Sequence, residues 1–151
     1  MLEVGDRAPD FELRDQDGDA VKLSRFAGHN VVLYFYPNAA TPGCTRQACG
    51  VHDRSGEYEQ ADAIVLGVSR DEPEALRKFA SDEGLGFTLL SDPDNEVADL
   101  FGIEQVQGRT SVANERSTFV IGPDMTIDHV FRKVDPDEHD GLVLGALASA
   151  A

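Results

Sequence analysis

The order of apolar and polar residues predicts strands that alternate with helices. Two nearly continuous apolar runs, at 31–36 and 63–69, have the length and β-branched content of buried strands. Helices are predicted over about 43–61 and from 73 to 84, and the second carries apolar residues at core-facing spacing. Because strands joined through helices need crossover connections, the pattern predicts an α/β fold with a partly parallel sheet.

The first 29 residues predict an extension that precedes the central strands. Apolar and polar residues alternate on either side of a polar turn at 15–19, which predicts a β-hairpin over about 8–23. One helical turn is predicted next, with Ser24 as its N-cap and Gly28 at its end. The N-terminal region is therefore expected to add a small hairpin to the central sheet.

The second half of the chain predicts shorter elements. In order, these are a strand at 87–90, a short helix that ends at Phe101, an irregular stretch at 103–115, a hairpin of 116–121 and 126–132, and an amphipathic helix from about 138 to 150. The acidic cluster at 135–140 is interpreted as a solvated loop and helix start. His52 is interpreted as a solvated helix residue.

Length and composition fit one domain, 1–151, since 41% of its 151 residues are hydrophobic and no linker-like segment divides it. No apolar run approaches the ~20 residues of a membrane-spanning helix. The first residues lack the basic and apolar regions of a secretory signal. Two cysteines in such a chain favour a reducing compartment, where a disulfide is transient. These features predict a cytoplasmic protein.

The chain is strongly acidic, with a net charge of −15 and a pI near 4.4. This charge argues against nucleic acid or an anionic membrane as a partner. Lysine occurs only at positions 22, 78 and 133. One hypothesis is a host with a salty cytoplasm, where high ionic strength screens the repulsion between carboxylates. An ordinary acidic protein is the alternative.

The high-salt hypothesis predicts that added salt stabilises the fold. The melting temperature should rise between dilute buffer and molar KCl, because dissolved ions screen repulsion among the surface carboxylates. Thermal unfolding followed across a KCl series measures this effect. An unchanged melting temperature would contradict the hypothesis and favour the ordinary acidic protein.

Both cysteines, Cys44 and Cys49, follow the first predicted central strand. Thr41 and Pro42 have the residue types of a helix N-cap and first helical position, so Cys44 is predicted in the first helical turn. There the free N–H groups and the positive end of the helix dipole favour a thiolate over a thiol. A redox pair is one interpretation. The other is that both cysteines are small buried core residues.

The run Pro37…Thr41-Pro-Gly-Cys44 has the P-x3-T-x2-C pattern of peroxiredoxins, thiol-dependent peroxidases with a thioredoxin-like fold. With a second cysteine five positions on, the sequence resembles the bacterioferritin-comigratory, or PrxQ, branch. The residues Asn38-Ala39 and Gln47 depart from that branch, in which Lys-Asp and Glu are usual. The resemblance implies a thioredoxin-like α/β fold, a central mixed sheet flanked by helices with an N-terminal β-hairpin extension. It also implies that Cys44 is the peroxidatic cysteine and Cys49 the resolving one.

The resemblance implies further site residues. Arg116, at the start of a predicted strand, is expected to stabilise the thiolate and donate hydrogen bonds to the peroxide. The Thr41 hydroxyl is expected to bond the thiolate and the peroxide, and Pro42 to shield the thiolate from water. The backbone N–H groups of Gly43 and Cys44 are expected to face the peroxide oxygens. No cofactor is expected, because the sulfur itself carries the redox change. No metal is expected either, because the four histidines are scattered and the two cysteines lack a second ligand pair.

The spacing of the two cysteines places them too far apart for a disulfide while they lie in a regular helix. In a regular helix, residues five apart differ by ~140° in rotation and ~7.5 Å in rise. Their Cα atoms are then roughly 8–9 Å apart, beyond the ~7 Å limit for a disulfide. We therefore expect the first helical turns to unwind between peroxide reduction and resolution. Gly50 is expected to lower the free-energy cost of that local unwinding.

The expected partners follow from this chemistry. The substrates are hydrogen peroxide and organic hydroperoxides, and the reductant is thioredoxin or glutaredoxin. A monomer is expected, because the acidic surface disfavours self-association. Two alternatives stay open: a non-enzymatic thiol redox sensor or binding module, and a thiol–disulfide oxidoreductase. The oxidoreductase usually needs C-x-x-C, which this chain lacks.

Overall fold

A seven-stranded mixed sheet organises the protein in a computed structural model that describes residues 2–39, 41–107 and 112–149. From one edge to the other its strands are β2 (Ala20–Lys22), β1 (Glu12–Asp15), β5 (Thr88–Ser91), β4 (Ala63–Ser69), β3 (Asn30–Phe35), β8 (Ser117–Ile121) and β9 (Ile127–Phe131). β3, β4 and β5 are parallel, and the other neighbours are antiparallel. The predicted mixed sheet and the N-terminal hairpin are confirmed.

Helices cover both faces of the sheet. One face packs against α1 (Pro42–Asp53), α2 (Ser55–Gln60), α3 (Pro73–Glu83) and α5 (His139–Ser149). The other packs against α4 (Glu96–Phe101) and a 3₁₀ turn at Leu23–Phe26. No helix in the described ranges is long and apolar enough to cross a membrane.

Strand β3 lies at the centre of the molecule and is buried on both faces. Its odd-numbered residues, such as Leu33 and Phe35, belong to the core beneath α4, whereas Val32 and Tyr34 belong to the core beneath α1. All four are at most 1% exposed. Burying each such side chain contributes roughly 1.5–3 kcal/mol. The apolar run at 31–36 therefore predicted a strand whose side chains contribute to both hydrophobic cores.

The helix predicted over 43–61 is in fact two helices. Arg54 separates them, since its backbone leaves helical geometry at φ −102° and ψ 18°. The change of direction places Tyr58 of α2 in the core, where it is 2% exposed. The predicted cap of the 3₁₀ turn was also wrong. That turn begins after Lys22, and the Ser24 backbone N–H instead donates to the Asp10 carboxylate at 2.9 Å.

Two further segments differ from the sequence predictions. The stretch 103–115 contains an antiparallel ribbon of β6 (Gln105–Gln107) and β7 (Val112–Asn114). The residues between these two strands, 108–111, lie outside the described residues. The acidic cluster is not wholly solvated, because His139 is fully buried and Asp140 is 9% exposed. Both residues have polar partners that are distant in sequence, which the composition of the cluster does not reveal.

The close packing around Gly67 of β4 leaves no room for a larger side chain. Gly67 pairs with Tyr34, and a Cβ at position 67 would lie 2.8 Å from the Tyr34 ring carbon Cζ. Gly67→Ala should therefore destabilise the fold by about 1–3 kcal/mol through overpacking. Urea unfolding measures the loss. Gly56→Ala is the matched control, because its Cβ would meet nothing within 4 Å and alanine favours a helix. Equal stability of the two variants would contradict the packing argument.

Candidate active site

The candidate site lies where β3 ends and α1 begins. The chain leaves the sheet after Phe35, and Thr41 takes the N-cap position of α1 with Pro42 as its first residue. Cys44 is thus in the first turn, as predicted, and is 2% exposed. The Thr45 N–H donates to the Thr41 carbonyl at 2.8 Å, which closes the first turn. The N–H groups at this end of a helix have no intrahelical acceptor.

Arg116 reaches Cys44 from a distant part of the sequence. It directly precedes β8, whose Ser117 pairs with Phe35 at the end of β3, so the sheet carries Arg116 to the start of α1. Its Nη2 donates a hydrogen bond to Cys44 Sγ at 3.4 Å. The same Nη2 lies 3.2 Å from where a Cβ on Gly43 would sit, so glycine leaves room for the guanidinium.

Gln47 fixes the other side of the guanidinium. Its Oε1 accepts a hydrogen bond from Arg116 Nη1 at 2.5 Å, so Arg116 is held at two points on one face of α1. Gln47 is fully buried, and its Nε2 has no hydrogen-bond partner among the described residues. Because an amide is neutral, Gln47 orients the guanidinium without neutralising its charge. Sequence reasoning noted this residue only as a departure from the family pattern.

A carboxylate in place of Gln47 should weaken the effect of Arg116 on Cys44. In Gln47→Glu the new charge pairs with the guanidinium and faces the sulfur one helical turn away, which disfavours the thiolate. In a Cys49→Ser background, alkylation of Cys44 by iodoacetamide at neutral pH should slow roughly tenfold. Gln60→Glu, at an exposed position in α2, adds the same charge as a control. Equal alkylation rates in both variants would contradict the prediction.

The Thr41 hydroxyl is engaged differently from the prediction. It donates to the Asn38 carbonyl at 2.9 Å and makes no side-chain cap hydrogen bond, although Thr41 does occupy the N-cap position. Pro42 is exposed at the start of the helix. The turn before the helix is held by a residue that the sequence did not single out. The Asp71 carboxylate accepts from the Ala39 N–H and from the Ser69 hydroxyl, both at 2.7 Å.

Cys49 lies in the same unbroken helix as Cys44, and both thiols are free. Cys49 is partly exposed, and burial raises the pKa of its thiol, with the Glu83 and Asp53 carboxylates adding to the rise. Within a continuous helix the two cysteines are too far apart to bond. The structure therefore represents the reduced protein. His52, one turn beyond Cys49, is not simply solvated, because its Nδ1 accepts from the Gly86 N–H at 3.2 Å.

The site thus combines a buried thiol, a helix N-terminus and a guanidinium fixed at two points. These features define a class of protein: an α/β fold whose reactive group is a cysteine thiol. The chain belongs to the AhpC/TSA family, whose family model matches residues 4–130. Within that family it is a peroxiredoxin of the bacterioferritin-comigratory type, a thiol-dependent peroxidase with a thioredoxin-like fold.

Three comparisons support this assignment. The chain is 46% identical to peroxiredoxin Bcp of Escherichia coli over 153 residues, which cover 99% of this chain and 98% of the relative. It superimposes on peroxidoxin BcpB of Mycobacterium tuberculosis with a TM-score of 0.92 and 34% identity, covering 100% and 99% of the two chains. The chain also superimposes on the bacterioferritin comigratory protein of Xanthomonas campestris, which was studied for alkyl peroxide reduction. The TM-score is 0.89 and the sequence identity 33%, and the match covers 99% of this chain and 98% of the other.

Proposed function

We propose that Cys44 is the sulfur that attacks the peroxide and that Cys49 resolves the product. The observation that supports this most is the hydrogen bond from Arg116 to Cys44 at the start of α1. A guanidinium and a helix N-terminus both favour a thiolate. Cys49 lies further along α1 than the first turn, and burial raises the pKa of its thiol, which disfavours the thiolate there. The two thiols therefore differ in the way that two successive roles require.

In the first step the Cys44 thiolate attacks one peroxide oxygen. A sulfur–oxygen bond forms, the O–O bond breaks, and the leaving hydroxide or alkoxide takes a proton from solvent, so that Cys44 becomes a sulfenic acid. Arg116 and the backbone N–H groups of Gly43 and Cys44 stabilise the developing negative charge. Thr41 contacts the peroxide once its hydroxyl leaves the Asn38 carbonyl, and Pro42 borders the site. Hydrogen peroxide and organic hydroperoxides both fit this chemistry.

In the second step the Cys49 thiol attacks the sulfenic sulfur, a disulfide forms and water leaves. Since α1 is continuous from Pro42 to Asp53, the segment between the cysteines has to unwind first. An oxidised crystal form should show residues 43–50 out of helical geometry. A bonded Cys44–Cys49 pair within an intact helix would contradict the proposal.

A thiol reductant then returns the disulfide to two thiols. We assign this role to thioredoxin, with glutaredoxin as the second candidate, because a dithiol can reduce the disulfide by two successive exchanges. A reducing compartment such as the cytoplasm supplies such partners and keeps the disulfide transient. The proposed catalyst is a monomer, since both cysteines belong to one helix and no second chain is needed for resolution.

One experiment tests the assignment. Reduced protein treated with one equivalent of hydrogen peroxide should lose both thiols and give a Cys44–Cys49 disulfide in peptide mass mapping. With thioredoxin, thioredoxin reductase and NADPH it should then consume many equivalents. Cys49→Ser should still reduce one equivalent but should lose thioredoxin-dependent turnover. A single oxidation per molecule without turnover would instead indicate a redox sensor.

A further inference from the structure

The segment 134–140, which leads from β9 into the first two residues of α5, lies along one face of α1. Three residues of α1 meet it: Gly43, Arg46 and Gly50, whose spacing of three and four places them in one row. Pro136 Cγ lies 3.6 Å from where a Cβ on Gly43 would sit. The Asp137 carboxylate accepts from Arg46 Nε at 2.9 Å. We call residues 134–140 the strap.

Hydrogen bonds anchor both ends of the strap. At one end the Val134 N–H donates to the Arg116 carbonyl at 2.9 Å. At the other, Asp140 Oδ1 accepts from the Tyr58 hydroxyl of α2 at 2.5 Å, in buried surroundings. His139, fully buried, adds a contact at 3.0 Å between its Nε2 and Thr118 Oγ1 of β8. The strap is therefore fixed to the sheet and to α2.

The contact at Gly50 depends on the absence of a side chain there. The Asp140 carboxylate oxygen Oδ2 is so close that it would collide with a Cβ at position 50. Gly50 directly follows Cys49, so the strap presses on the helix immediately beside the cysteine that has to move. By contrast, a Cβ added at Gly56 of α2 would meet nothing within 4 Å, so no close neighbour requires a glycine at that position.

We propose that the strap holds α1 helical across the two cysteines and thereby sets the rate at which Cys49 reaches Cys44. This proposal rests on the roles assigned above. Unwinding of residues 43–50 has to separate the helix from Pro136 and Asp137 and to break the Gly50–Asp140 contact. While the helix persists, the sulfenic acid stays exposed to a second peroxide, which oxidises it to sulfinic acid with release of water from hydrogen peroxide or of an alcohol from an organic hydroperoxide. The strap thus divides Cys44 between resolution and overoxidation.

Tyr58→Phe removes the hydroxyl that fixes Asp140. Disulfide formation should then become about fivefold faster, the effect of one buried hydrogen bond, and the sulfinic acid fraction should fall accordingly. Reduced protein is mixed with excess peroxide and quenched at intervals with acid. Mass spectrometry then counts the disulfide and sulfinic acid forms. The rate of the first oxidation of Cys44 should not change, because the Tyr58 hydroxyl donates to Asp140 rather than to Cys44 or Arg116.

Two control variants separate the buried anchor of the strap at Asp140 from its exposed ion pair and from general destabilisation. Asp137→Asn weakens only an exposed ion pair and should change the resolution rate less than about twofold. Val97→Ala leaves a small cavity beneath α4, on the face of the sheet opposite α1 and the strap, so it should lower the melting temperature and leave the ratio of disulfide to sulfinic acid unchanged. A Tyr58→Phe rate that is unchanged or slower overturns the proposal.

A double-mutant cycle at Gly50 and Asp140 tests the contact itself. In an Asp140→Ala background, Gly50→Ala should slow resolution about fivefold, because alanine stabilises the helix. In the native background the same substitution also displaces Asp140, so that slowing should be offset or reversed. Equal effects in both backgrounds overturn the strap. If the native protein forms no Cys44–Cys49 disulfide at all, the proposed function fails instead, which is a separate result.

Discussion

Replacing Cys44 with serine is expected to abolish peroxide turnover. A serine hydroxyl does not ionise near neutral pH and so provides no anionic nucleophile for the O–O bond. The rate in the thioredoxin-coupled assay should fall by on the order of 10⁴-fold or more, the scale seen when an enzyme loses its nucleophile. Since serine is nearly isosteric, the fold should be retained, which circular dichroism checks. The rate of NADPH oxidation measures the loss.

Cys49→Ser is the matched control for this prediction. It removes the other thiol of the same helix, and it should retain a single rapid oxidation by peroxide while losing only the recycled reaction. A Cys44→Ser variant that kept full turnover would contradict the assignment. If instead Cys49→Ser abolished the first oxidation and Cys44→Ser did not, the two roles would have to be exchanged.

Arg116→Met is expected to have the second largest effect. It removes the guanidinium that donates to Cys44 Sγ, which is proposed to favour the thiolate and to face the developing oxygen charge, while keeping most of the side-chain length. The rate of the first oxidation should fall roughly 10²–10³-fold, as for the loss of a charge-stabilising donor at other active sites. Stopped-flow measurement of peroxide reduction in a single turnover isolates this step from resolution.

Two variants sharpen this result. Arg116→Lys keeps the charge but cannot bond Cys44 and Gln47 together through a fork of two N–H groups, so it should recover only part of the rate. Arg77→Met removes the same charge from an exposed position in α3, where the pair with Asp17 spans 3.9 Å, and should leave the rate within about twofold. Equal rates in Arg116→Met and Arg77→Met would show that Arg116 acts only through net charge.

The sequence predicted the local parts of the site because local rules determine them. A β-branched run predicted β3, and Thr41 and Pro42 predicted where α1 begins. Arg116, by contrast, was identified through the family resemblance, since its position depends on the pairing of β8 with β3, about 80 positions apart in sequence, and no spacing rule reports such a contact. Its partner Gln47 could have been found from the three-residue spacing to Cys44, which places both on one helix face.

Other features depend on tertiary contacts that composition misrepresents. The cluster 135–140 has the polarity of a solvated loop, yet Asp140 is buried because Tyr58 donates to it and Gly50 leaves space for it. The break at Arg54 is equally hidden, because glycines at 50 and 56 weaken the helix pattern without marking where it ends. Each case concerns a residue whose environment is supplied by another segment, so single-segment patterns cannot determine it.

The continuity of α1 has a consequence for the energetics of the redox cycle. Folding of this helix stabilises the dithiol, whereas the proposed Cys44–Cys49 disulfide encloses only the four residues between the two cysteines and forgoes part of the helix. With the reduced state favoured, the couple should have a comparatively high reduction potential, as in dithiol proteins whose reduced form is the more stable. Refolding of one helix therefore helps to drive the electrons from the reductant into the peroxidase, and recycling needs no strongly reducing partner.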